Sequence, residues 1–77
     1  MTTEGFYRKI EEILEVETGS IKGSEALAGF SRWDSLALLS FIAMADAELS
    51  IAVSATELQQ CRTVADLARL IRSRDDV

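Results

Sequence analysis

Apolar residues recur at Phe6, Ile10, Ile13 and Leu14, while Arg8, Glu11, Glu12 and Glu15 fill the opposite side. Spacings of i, i+4, i+7 and i+8 belong to a half-buried α-helix, predicted here over Glu4–Val16. Thr3 is placed to cap its start and Glu4 suits the positive helix end. Gly19 ends the pattern where left-handed backbone is tolerated. Glu11, Glu12 and Glu15 read as a solvated face. From Ser20 to Trp33 the period is lost, which predicts a loop longer than most connections in compact domains. Ile21, Leu27, Phe30 and Trp33 are expected to pin that loop across the core. The period then returns, predicting a second helix over 35–48. Leu38, Phe41, Ile42, Ala45 and Leu49 form its core face, Met44 reads as packing, and Leu36, Leu39, Ala43 and Ala47 make a neighbouring apolar face. A helix apolar on more than one side is either central or keeps a strip for a partner.

Ser54-Ala-Thr-Glu57 has the S-x-x-E form of a capping box and predicts a short helix over 55–60. Thr63-Val-Ala-Asp66 opens a last helix over 63–73, with Val64, Leu67, Ala68 and Ile71 as its buried stripe. Arg69, Arg72 and Arg74 gather near its negative end, and Asp75–Val77 is expected to fray. The chain has no proline and only four glycines to interrupt helices. The fold class is therefore all-α: a small four-helix bundle with three longer helices, one short helix and a long first loop. It is read as a single domain over 1–77.

Composition narrows the function. With 77 residues, 48% of them hydrophobic, the chain can bury about 60% of its unfolded surface, enough for one modest core. An enzyme-sized buried cleft is not expected. Eight basic against thirteen acidic residues give a net charge of −5. That balance points away from nucleic acid and anionic membranes, and towards partners with basic faces. Cys61 is the single cysteine and histidine is absent. A disulfide framework, a thiolate zinc site and a histidine-based catalytic triad are thereby excluded, so neither an enzyme nor a metal site is expected. Cys61 itself reads as a small buried hydrophobe. The start, MTTEGFYRKI, has no basic and apolar leader pattern. The longest apolar run, Leu36–Ala45, is far short of the roughly 18 residues of a membrane span. A monomeric cytoplasmic protein is expected.

The remaining chemistry lies in FSRWDSLALLS, Phe30 to Ser40, where Asp34 and Ser35 stand at the mouth of the most apolar helix. Both residue types cap helices, a role worth about 1 kcal/mol, so Ser35 either caps or is displayed. WDSL at Trp33–Leu36 resembles the attachment motif of the acyl carrier proteins. LSIAV at Leu49–Val53 and TVADLARLI at Thr63–Ile71 resemble that family's later landmarks, in the same order, and the resemblance covers essentially the whole chain. It implies a non-catalytic carrier with 4′-phosphopantetheine, taken from coenzyme A, joined to Ser35 by a phosphopantetheinyl transferase. Acyl or aminoacyl groups would ride on that arm as thioesters, between enzymes that load and transfer them. Partner recognition would fall to Asp34, Leu36, Leu39, Ala43 and Asp46. Fatty-acid-type relatives carry more carboxylates on the second helix; here Ala37, Ser40 and Ala47 stand in their place, leaving Asp34, Asp46 and Glu48. That departure implies a specialised pathway with apolar docking. Peptidyl carriers differ in the other direction, with a glycine-rich stretch in place of Arg32-Trp33-Asp34. The alternative is an unmodified interaction module of the same fold, in which Ser35 only caps.

Overall fold

The computed structural model describes residues 2–75. Helix α1 spans Thr3–Leu14, α2 Ser35–Met44, α3 Ala55–Gln59 and α4 Val64–Asp75. A 3-10 turn, Leu27–Gly29, lies in the first loop, and α2 loosens into a π-helical segment over Ala45–Leu49. The all-α expectation holds, with three longer helices and one short one among the described residues. Of the residues expected to fray, Asp75 ends α4, and Asp76 and Val77 lie outside the described residues.

The ends of α1 differ from the sequence reading by a few residues. Thr2 is the cap, not Thr3: its backbone is extended and its hydroxyl accepts the Gly5 N–H at 3.0 Å. Thr3 already has a place in the helix. The helix stops at Leu14 because Glu15, well before Gly19, takes a left-handed backbone with φ 58°. The Val16 N–H then reaches back to the Glu11 carbonyl and the Glu15 N–H to that of Glu12, a Schellman closure that satisfies the last carbonyls. Glu15 also forms an ion pair with Arg32.

The core is continuous. Phe6, Ile10 and Leu14 of α1 meet Phe41, Met44 and Ala45 around α2, and Leu58, Val64, Leu67 and Ile71 close the other side. Phe6 and Phe41 stack edge to face, with ring centroids 5.9 Å apart. Burying each such side chain stabilises the fold by about 1.5–3 kcal/mol. Leu38, Ile42 and Leu49 flank the core half-buried, although the pattern put them on its central face. Ala37 is buried instead.

The first loop is held as the sequence suggested, by Ile21 and Leu27 in the core with Phe30 and Trp33 packed against it. Glu11 overturns the reading of a solvated acidic face. It is only 2% exposed, and its Oε2 accepts N–H groups from Gly19 and Ile21, each at 2.9 Å. Arg8 pairs with its other oxygen at 3.0 Å. Further along, an isolated bridge joins Ala26 to Thr63. Leu27 N–H donates to the Arg62 carbonyl at 2.8 Å, and the first N–H groups of α4, on Val64 and Ala65, donate to Glu25 and Gly23. Gly23 has φ +117°, and a Cβ there would stand 2.5 Å from the Tyr7 hydroxyl, so the tie needs glycine.

Candidate functional site

The start of α2 divides its two polar residues cleanly. Asp34 is the cap: its backbone is extended, its Oδ1 accepts the Ala37 N–H at 3.0 Å, and its carbonyl accepts the Leu38 N–H at 3.0 Å. Ser35 is the first helical residue and is exposed. With capping done by Asp34, the Ser35 hydroxyl forms no hydrogen bond among the described residues. That leaves a primary hydroxyl accessible from solvent at the first turn of the helix. Among the described residues no side-chain base accepts a hydrogen bond from it.

Two grooves flank Ser35. The larger, about 590 Å³, is lined by Leu27, Trp33, Ser35, Leu38, Cys61 and Arg62, together with Gln59. It runs between the first loop and the junction of α3 with α4. Gln59 and Arg62 had no role in the sequence reading, because nothing local marks them; the Ala26–Thr63 bridge brings their segment beside Ser35. A smaller groove of about 340 Å³ lies on the α1 side and includes Asp34, Leu36 and Ser40.

Cys61 is half-buried, not fully buried as expected, because it sits on the groove wall. Burial pushes its thiol up, the Asp66 carboxylate adds to that, and the Arg69 guanidinium offsets only part. The thiolate is therefore disfavoured, and with it reactivity. Asp66 is the third residue of α4 and completes a reciprocal cap with Thr63, whose hydroxyl accepts the Asp66 N–H at 3.2 Å. The Arg62 and Thr63 N–H groups hold its carboxyl below the ordinary range, against the opposing effect of burial and helped by Arg69.

Beyond Ser35 the exposed face of α2 is apolar except at Ser40. Leu36 is 67% and Leu39 63% exposed, and among the described residues they are the large hydrophobic residues that stand out in solvent. Ala43 and Asp46 are also exposed, one and two turns further along. Of the positions read as lost docking carboxylates, Ser40 and Ala47 are exposed, but Ala37 is a core residue where a charge would not be accommodated. Glu48 is engaged by Lys9 at 3.2 Å. The unshielded acidic groups near the strip are thus Asp34 and Asp46. Among the described residues no cluster of acidic or thiol side chains could hold a metal ion, and no helix is long and apolar enough to cross a membrane.

Comparison with known families gives a match to the one described as phosphopantetheine attachment site, over residues 5–71. No curated protein and no solved structure matches the chain.

Proposed function

The chain belongs to the phosphopantetheine-attachment family of carrier proteins, and from that premise we propose that Ser35 bears its arm. Domains of this family are non-catalytic: acyl or aminoacyl groups ride as thioesters on a covalent 4′-phosphopantetheine, put in place by a phosphopantetheinyl transferase and loaded by separate enzymes. The unmodified interaction module gives way to the carrier on that membership.

The residues present fit the group. Ser35 offers a free, exposed hydroxyl at the first turn of a ten-residue helix, where an attached phosphate meets the positive end of the helix dipole. The attached arm supplies the thiol that holds the cargo. The chain supplies the rest: Asp34 keeps Ser35 unoccupied by taking the cap, and the buried Ala37 and Phe41 fix the helix that presents it. In attachment, Ser35 Oγ forms a bond to phosphorus in the pyrophosphate of coenzyme A. The P–O–P bond breaks, the adenosine-bearing phosphate leaves, and the hydroxyl proton passes to the transferase.

Docking, on this reading, rests on Leu36, Leu39 and Ala43, with Asp34 and Asp46 at the rim. So sparse a carboxylate row favours a specialised biosynthetic pathway over primary fatty-acid synthesis. The carrier is read as one domain that acts as a cytoplasmic monomer.

The observation that supports the attachment most is the exposed Ser35 hydroxyl with its capping duty taken by Asp34. Incubation with coenzyme A, magnesium and a broad-specificity phosphopantetheinyl transferase should raise the intact mass by one arm. The Ser35→Ala variant should stay unchanged. A wild-type mass that does not move, or an alanine variant that still gains the arm, would falsify the assignment.

A further inference from the structure

Most cations of the described residues are occupied. Arg8 pairs with Glu11, Lys9 with Glu12 and Glu48, Arg32 with Glu15, Arg69 with Asp66 and Arg74 with Glu57. Arg72 donates to the Thr3 hydroxyl. Lys22 and Arg62 have no carboxylate partner among the described residues, and of the two only Arg62 lines the groove that contains Ser35. Its main chain is fixed at both ends: the N–H donates to Asp66 Oδ2 at 2.9 Å and the carbonyl accepts the Leu27 N–H at 2.8 Å. An exposed arginine on a fixed main chain therefore lines the same groove as the Ser35 hydroxyl.

We propose that Arg62 is the counter-cation of the arm's phosphodiester and draws the arm along this groove, on the α3–α4 side of Ser35. The inference rests on Ser35 as the attachment residue. Its chemistry is local. A phosphodiester on Ser35 brings a negative charge beside the exposed Asp34 carboxylate, and like charges repel. A guanidinium in the same groove relieves that repulsion, and its planar fork matches two phosphate oxygens. The rest of the groove suits the part of the arm beyond the phosphate. Trp33 and Leu38 offer apolar surface to the arm's methyl groups, and the Gln59 side chain can pair with its amides. An arm laid this way leaves the Leu36–Leu39 strip clear, so a partner can dock on α2 without displacing it first.

The test compares the unmodified and arm-bearing forms of the whole chain, with modification at Ser35 verified by mass. Trp33 is the single tryptophan, so its emission reports the groove directly, and amide NMR shifts report residues 59–62. Installing the arm should shift both, and the phosphorus resonance should move when Arg62 is replaced by glutamine. In Arg62→Gln the amide shifts at 59–61 should fall to no more than about half, while Arg62→Lys, which keeps a point charge but not the fork, should retain an intermediate response. Raising salt to 1 M, where the Debye length is about 3 Å, should weaken the wild-type response towards that of Arg62→Gln. A protein that carries the arm yet shows unmoved 59–62 amides, or equal shifts in wild type and Arg62→Gln, overturns this inference and leaves Ser35 standing. An unmodified Ser35 overturns both.

Discussion

Glu11 shows how one side chain can set a loop that sequence periodicity leaves free. Burial pushes its carboxyl up, but the N–H groups of Ile21 and Gly19, with Arg8 and Lys22, outweigh that and hold it below the ordinary range. It therefore works as a charged double acceptor, and Arg8 steadies the same loop by donating to the Ile21 carbonyl at 3.4 Å. Glu11→Ala leaves two loop N–H groups without acceptors and Arg8 without its partner. Its melting temperature should fall by about 10 °C, since unsatisfied donors in a small domain translate into shifts of that size. A thermal scan that finds the variant within about 2 °C of wild type would place the loop's hold elsewhere, in Ile21 and Leu27. The sequence could not announce this role. Glu11 stands beside Glu12 in a run of acidic residues, and its partners are main-chain N–H groups that carry no residue signature. Ser35 stood out as a candidate for the opposite reason: its neighbour Asp34, its placement and the later landmarks are all side-chain facts. Arg62 and Gln59 did not, because they reach the site only through the Ala26–Thr63 bridge.

Among the elements, α2 carries the proposed attachment residue and explains where periodicity misled. Being apolar on nearly every side, it offers no sharp contrast from which to choose the inward face. Phe41 and Ala45 were placed correctly, whereas Leu38 and Ile42 lie at the flank and Ala37 goes inside. The π-helical segment at Ala45–Leu49 turns the end of the helix, so a strict 3.6-residue spacing cannot carry Leu49 to the core centre. Caps were read more safely. Ser54 and Glu57 form the full reciprocal box, and Thr63 with Asp66 opens α4 as the spacing suggested. The outward strip yields a test of docking. Desolvating Leu39 contributes about 25 cal/mol per Å², unscreened by salt, whereas an exposed charge is felt over only about 8 Å at physiological ionic strength. With the transferase as partner, Leu39→Asp should raise KM about tenfold and Asp46→Asn less than about twofold. The reverse order, joined to steep salt dependence, would return docking to electrostatics and the chain to a fatty-acid-type role.

Across the whole molecule three carboxylates repeat one device. Glu11 grips the N–H groups of Gly19 and Ile21, Glu25 those of Lys22 and Gly23, and Asp66 those of Arg62 and Thr63. Together they fasten the first loop to α1 and the start of α4, and so frame the wall of the groove beside Ser35. For Glu25 as for Glu11, burial pushes the carboxyl up and main-chain N–H groups with Lys22 prevail, leaving it below the ordinary range; Asp66 is lowered as well. In the unfolded chain these groups return to ordinary values near about 4. As pH falls the unfolded form thus takes up protons first, and the stability these groups contribute is lost progressively below about pH 5. The melting temperature should be level between pH 7 and about pH 5 and then decline, and Glu11→Ala should decline less steeply because one of the three grips is already gone. Because the loop they hold carries Trp33, its emission should shift at or before the loss of helical circular dichroism, with the groove opening as the bundle weakens. A protein that grows more stable from pH 5 to pH 3 would refute the role given to these carboxylates. Emission that moves only after the helices have melted would uncouple the groove from them.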